Sequence, residues 1–486
     1  MLRTLLFCFA SAALSVAQTD HFVPAHQLTG IGVGRSDMSN ELLNERVRLM
    51  IESQTFFFLR EPMAVVGAER VEKYSPIFEE ASRQSGLPAS LIKAIAYLES
   101  FGDPQAISHA GCCRGIMQVS GPTATEMGLR MVYSTRYRTA VERKAVKNKK
   151  GKIVYTTVKR KVPYHVLIQD ERLIPEKAIP KAANYLARLS REYGSLDWAV
   201  FAYHCGVGCV ANMRALTQRA HNMEQPITVP GMFFHNGPAY NHELYEEIRR
   251  QMERDWSPTY WFRVMRAEQL MNMYREDRAT FLELANYYRY AAEANSRPQH
   301  RLQVWLRSDD LLYQSCDDIK KDDGQRLARV LDDPDYFGFR LNYDAISGFD
   351  LANRDYYLQA TPAALGTLSY IAFETRRLHE SMHPKGEKFV PLEVVSLVRS
   401  MSSPAESTGE GLAHCSGQVF DIRYSNLPPG EREALQFVLD DMGYEGYLGF
   451  IDETPNSGIM HVGCSPSSRD FFAKVFADAV GAHKST

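Results

Sequence analysis

The hydrophobic pattern of the chain changes period from stretch to stretch, and each period predicts a different element. Around residues 88–99, Leu91, Ile95 and Leu98 recur at three- to four-residue spacing, which predicts a short helix with one apolar stripe and Pro88 at its first position. From residue 241 to about 377 the pattern is that of amphipathic helices, with aromatic-rich turns such as Tyr287-Tyr288-Arg289-Tyr290. A helix over 363–379 opens the last domain. There the run Val394-Val395-Ser396-Leu397-Val398 predicts a buried strand ending in Arg399, followed by a helix over 429–442 and a strand over 459–462.

One polar residue breaks the first pattern in an informative way. Glu99 lies four residues after Ile95 and so falls on the apolar stripe, in the last turn before Ser100, Gly102 and Pro104 close the helix. Partial burial and the negative end of the helix dipole both disfavour its charge, so its pKa is expected to rise. A carboxyl still protonated near neutral pH can donate to a leaving glycosidic oxygen. Glu99 is therefore a candidate catalytic acid.

Composition bounds the rest. At 486 residues with 45% hydrophobic content, the chain is long enough for two or three cores. A formal charge of −2 argues against a dedicated nucleic-acid binder. Arg3, the apolar run 5–14 and Ser15-Val16-Ala17 predict a secretory signal over 1–17, and no later run is long enough to span a bilayer. A periplasmic or secreted location follows. Residues 138–161 carry ten Lys/Arg against one acid, with a turn at 148–152 between strands expected over 143–147 and 153–159. Such a basic hairpin suits anionic wall polymers or membrane headgroups, or is a solvated protrusion.

The order of motifs then adds a resemblance. Glu99-Ser100, Ala106-Ile107-Ser108, Gly115-Ile116-Met117-Gln118, Pro122-Thr123-Ala124 and Met127-Gly128-Leu129 resemble the soluble lytic transglycosylase catalytic domain, a lysozyme-like fold. Pro175-Glu176-Lys177-Ala178-Ile179, Asn184-Tyr185-Leu186 and Ala202-Tyr203-His204-Cys205-Gly206-Val207-Gly208 fit the same family over residues 74–213. The resemblance implies Glu99 as the single acid/base, with Ser108, Gln118, Tyr203 and His204 contacting substrate. It also implies peptidoglycan as substrate, cut between N-acetylmuramic acid and N-acetylglucosamine. With one carboxylate in place of the usual two, Glu99 would protonate the bridging oxygen and then accept a proton from the muramyl 6-hydroxyl, closing an anhydro ring. His204 stands where the family has asparagine, and Gly111-Cys112-Cys113-Arg114 contains an extra residue. A hydrolytic muramidase is the alternative on the same fold, with Asp103 as its candidate second carboxylate.

The last domain carries a second constellation. His414 and Asp421, seven apart, with His461 on a distant strand, can supply three ligands to zinc and leave its fourth position open. With Gly417 three after the first histidine, the arrangement resembles zinc D-alanyl-D-alanine carboxypeptidases and related peptidoglycan peptidases over residues 392–475. It implies zinc on His414, Asp421 and His461, with Arg399 orienting substrate. Leu412 replaces the usual serine, and Gly458 and Ile459 stand where an acidic base is expected, leaving Asp452 or Glu453 as candidates. A non-catalytic, peptide-binding domain is the alternative.

Seven cysteines follow the signal, and an oxidising compartment lets them pair. Cys112 or Cys113 with Cys205 or Cys209, and Cys415 with Cys464, are the candidate bonds, or all remain thiols. The expected organisation is a signal (1–17), a helical lead-in (18–73), a mainly α lysozyme-like domain (74–240) with its basic insertion (138–161), a helical middle (241–362) and an α+β zinc-peptidase-like domain (363–486).

Overall fold

The structure is a computed structural model that describes residues 40–147, 150, 152–220, 227–234, 236–239, 241–294, 310–322, 324–383, 386–404, 413–452 and 457–484. The expected signal segment lies outside these residues, as does most of the hairpin turn. The chain divides into two compact units, one of residues 65–199 and one of residues 1–64 with 200–486. No helix among the described residues is long and apolar enough to cross a membrane.

The unit of residues 65–199 is helical apart from one long ribbon and the short hairpin Cys113–Arg114 with Val119–Ser120. Its helices include Ser75–Ser85, Ala89–Ser100, Gly121–Glu126 and Pro175–Tyr193, with Ser75–Ser85 packed on Pro175–Tyr193. The helix Ala89–Ser100 is more enclosed than its stripe predicts. Every residue from Leu91 to Tyr97 is buried, including Lys93, whose ammonium reaches the Glu72 carboxylate at 3.2 Å. Pro88 is the N-cap rather than the first helical residue, which suits its extended ψ of 133°. At the other end Phe101 and Gly102 adopt left-handed backbone, and Gly102 N–H caps the Ala96 carbonyl at 3.3 Å.

The basic insertion is a two-stranded antiparallel ribbon of Met131–Lys147 and Ile153–Asp170, longer than expected at both strands. At about 3.3 Å per residue each strand runs roughly 55 Å. Exposed Tyr133, Tyr137, Val141, Ile153 and Tyr155 stand among its lysines and arginines.

In the other unit, five strands form a mixed sheet in the order Leu448–Asp452, Ile459–Cys464, Val419–Arg423, Leu392–Ser396, Phe339–Leu341. All neighbours are antiparallel except the last pair, which is parallel. The expected strand at 394–398 begins and ends two residues earlier, because Leu397 leaves the ladder. The middle region is not purely helical. Phe339–Leu341 joins this sheet, and Tyr313, Leu327, Phe337, Ile346 and Tyr357 share its core, so the core begins well before residue 363. Tyr287 and Tyr288 sit within the helix Arg278–Ala294 rather than in a turn.

Two contacts fix this unit. Arg46, from the helix Asn40–Ser53, is fully buried and pairs with Asp441 and Glu445 beside the helix Pro429–Tyr444. Burial works against its charge, but the two carboxylates raise its pKa further still. The helices Pro362–Met382 and Arg469–His483 meet at Gly366, where a Cβ would lie 1.8 Å from the Phe472 carbonyl oxygen. Gly366→Ala is therefore expected to destabilise this unit by about 3 kcal/mol through overpacking, read as a lowered Tm with unchanged far-ultraviolet circular dichroism below the transition.

Candidate functional site

Glu99 is half-buried in the last turn of its helix, and the loop that follows is tied back to that turn. Ser100 Oγ donates to the Ile116 carbonyl at 2.8 Å. Gly115 N–H donates to the Ala106 carbonyl at 2.8 Å, and Gln118 Nε2 donates to the carbonyls of Ala106 (3.1 Å) and Gly115 (2.9 Å). The Gln118 amide nitrogen thus holds the loop closed, which leaves its carbonyl oxygen to meet a ligand. Gln118 also has φ of 45°, an uncommon conformation for a residue with a side chain.

Ser108 is likewise occupied inside the loop. Its N–H donates to the Cys113 carbonyl at 3.0 Å and its Oγ accepts from the Cys113 N–H at 3.1 Å. In the turn between them Gly111 takes φ of 71°. The Cys113 thiol is pushed up to about 12 by burial, by the adjacent Cys112 and by the charge of Glu99, which places it within electrostatic reach of the carboxylate. Asp103 forms a turn, its Oδ1 accepting from Gln105 N–H at 2.9 Å.

The residue that anchors this loop was not legible in the sequence. Arg172 is buried after the ribbon's second strand. Its guanidinium donates to both oxygens of Asp170 (2.8 and 2.7 Å) and to the carbonyls of Cys112 and Val119 (both 3.1 Å). Burial favours the neutral acid, yet Arg172 holds the Asp170 carboxyl below the usual range. The Arg172 carbonyl lies under Gly115, where a Cβ would approach to 1.9 Å. No motif signals such a residue, since its partners are mainly backbone carbonyls.

Tyr203 and His204 belong to the other unit, on the last turn of the helix Leu196–Cys205. The exposed His204 ring stacks on Tyr260, with centroids 4.6 Å apart and planes 9° from parallel. The described cysteines are thiols, so none of the anticipated disulfides is formed. Cys464 ends its strand opposite Leu448 and donates to the Ser465 carbonyl at 3.2 Å, while Cys415 is buried in the turn His414–Ser416.

The sheet brings the second constellation together. Asp421 and His461 are direct partners on adjacent strands, and their Oδ1 and Nδ1 are 2.7 Å apart. His414 Nε2 lies 3.2 Å from Asp421 Oδ2, and all three side chains are buried with donor atoms within 4.8 Å of one another. His414 Nδ1 is 2.8 Å from the Leu397 carbonyl. A carbonyl only accepts, so Nδ1 carries the proton and Nε2 presents a lone pair to the carboxylate. Burial, Arg399 and His461 lower the pKa of His414 despite Asp421. Two acceptors then face each other in a dry site, an arrangement that a cation relieves. The separations approach the roughly 3.3 Å edge of a tetrahedron with metal bonds of about 2.0–2.1 Å. The three donor groups lie close enough to hold a metal ion. Arg399 Nη2 stands 3.8 Å from Asp421 Oδ2. Asp452 ends its strand in register with Met460, and Glu453 lies outside the described residues.

Residues 76–146 and 152–225 match the Transglycosylase SLT domain family. The N-terminal part of the chain thus carries an SLT transglycosylase domain, and its helical build accords with a lysozyme-like fold. The chain is similar to membrane-bound lytic murein transglycosylase F 1 of Alkalilimnicola ehrlichii, 27% identical over 207 residues, 41% of this chain and 33% of the relative. It is also similar to membrane-bound lytic murein transglycosylase F of Alcanivorax borkumensis, 26% identical over 192 residues, 38% of this chain and 32% of the relative. A 60-residue stretch is 43% identical to transglycosylase F 2 of A. ehrlichii, covering 12% of this chain and 13% of the relative. The chain spans about a third of the length of the first two relatives.

Removing the anchor tests the loop's construction. Arg172→Met would leave buried Asp170 with only the distant Arg114, 3.9 Å away, and would leave two carbonyls without this donor. A loss of roughly 3 kcal/mol is expected, measured by urea denaturation of the full chain.

Proposed function

We propose that this chain is a peptidoglycan lytic transglycosylase, a lyase that cuts between N-acetylmuramic acid and N-acetylglucosamine and leaves anhydromuramyl ends. The observation that carries this reading is Glu99 at the end of a buried helix, with the 106–118 loop bonded back onto its last turn. The SLT match over that stretch, and relatives named as lytic murein transglycosylases, support it. Glu99 protonates the bridging oxygen, the substrate's acetamido group supports the cationic centre, and Glu99 then takes the 6-hydroxyl proton as the ring closes. The Gln118 carbonyl oxygen contacts the saccharide. Asp103 is engaged in its turn, which favours internal closure over attack by an activated water. The protein works in the periplasm or outside the cell, where this polymer lies.

Glu99→Gln is expected to lower release of anhydromuramyl products from purified sacculi by a hundredfold or more, the size of effect general acid catalysis supplies. Mass spectrometry of the soluble products checks it. Full activity in the variant overturns the assignment, and reducing muramyl ends from the wild type would make the enzyme a hydrolase.

The buried His414, Asp421 and His461 favour a second reading for the C-terminal part, a zinc peptidase acting on stem peptides. A zinc ion held there would polarise a peptide carbonyl. Leu397 fixes the His414 tautomer, and Arg399 orients an anionic end of the substrate. The acidic base is the weak member, since Gly458 and Ile459 occupy its usual position, so a peptide-binding domain without catalysis remains the alternative. His414→Ala is expected to lose about one bound zinc per chain, and with it any release of stem peptides from sacculi. Unchanged zinc and unchanged peptide release would refute the centre, whereas zinc loss with no peptide release by the wild type would favour the binding domain.

A further inference from the structure

A second set of histidines lies away from the His414 centre, at the end of the helix Pro362–Met382. His379 and His383 are one turn apart, and their ring centroids are 4.6 Å from each other. His379 is 1% exposed, and its Nε2 lies 3.3 Å from Oε1 of Glu431, itself 3% exposed, in the first turn of the helix Pro429–Tyr444. His383 Nδ1 lies 3.8 Å from Oε2 of Glu387. Donor atoms of His379, His383 and Glu387 are within 4.8 Å of one another.

Three features indicate that this cluster is built for a cation. The ring nitrogens His379 Nδ1 and His383 Nε2 are buried without a hydrogen-bond partner among the described residues, an arrangement that is costly unless something else satisfies the rings. Glu431 receives the Val390 N–H at 3.0 Å, yet among the described residues the one ionisable side chain paired with its buried carboxylate is His379. Gly430 makes room for the histidine, since a Cβ there would lie 2.8 Å from His383 Nε2.

We propose that His379, His383 and Glu387, beside the buried Glu431, form a further metal centre that takes a divalent cation of the zinc class. Imidazole and carboxylate donors together suit that ion. The ligands come from a helix end and the stretch after it, so the ion ties these together just before the strand Leu392–Ser396. Its role is structural. The inference rests on neither catalytic reading.

The test uses full-length protein, stripped with chelator, reloaded with zinc chloride and desalted. Bound zinc is counted in His461→Gln, which disables the other centre, and in His461→Gln combined with His383→Gln and Glu387→Gln. The added pair touches the outer ligands and spares the buried His379–Glu431 contact. Loss of about one ion per chain on adding the pair, with loss of the zinc-dependent rise in Tm, is the expected result. Equal zinc in both proteins overturns the proposal, whatever His461→Gln alone has lost. Should the combined variant fail to fold by circular dichroism, cobalt titration of His461→Gln reads the same site. Intense visible absorption of four-coordinate cobalt is then expected, and its absence overturns the proposal equally.

Discussion

The buried guanidinium of Arg172 is the interaction on which the first candidate site depends. It neutralises Asp170 at the foot of the ribbon and holds the carbonyls on either side of the short hairpin Cys113–Arg114 and Val119–Ser120. Its own carbonyl fills the space under Gly115. A loop that returns to a helix end leaves backbone groups to satisfy, and a buried unpaired carbonyl is costly. One planar cation with five donors meets several of them at once. The left-handed Gln118 and the Ser108 turn follow from where that cation pins the chain.

The second candidate site depends on strand register. Asp421 and His461 face each other because their strands pair residue for residue, and a slip of one position would send one of them to the other face of the sheet. His414 comes from outside the ladder, in a short turn, and is oriented by the Leu397 carbonyl where the neighbouring strand has just ended. An irregular strand end supplies the acceptor that a regular strand would have used in its ladder. The sheet is in turn enclosed by helices that meet with backbone contact at Gly366, and the buried Arg46 cluster attaches the helix Asn40–Ser53 to the same unit.

Burial in this chain serves different ends in the two units. Around Glu99 the helix is enclosed on nearly every side, and its apolar lining is broken by the paired Lys93 and by the carboxylate end. In the C-terminal part, two buried clusters bring imidazoles and carboxylates together, His414 and His461 with Asp421 and His379 with Glu431.

Much of this was legible in the sequence. The spacing of Leu91, Ile95 and Glu99 placed the acid at the end of a helix, and the run 394–398 with the strand at 459–462 outlined the sheet, because local periodicity is a property of neighbours along the chain. The alternating basic hairpin was visible for the same reason, although its strands run further than its charges. Tertiary structure alone decided the rest. It recruited Phe339–Leu341 into a sheet whose other strands lie more than fifty residues later, and it kept Cys415 and Cys464 as thiols. It set Arg172 beneath the Gly115 loop and brought Glu431 to His379. Those pairings join residues distant in sequence through backbone carbonyls and buried charges, and neither leaves a periodic trace for a sequence to carry.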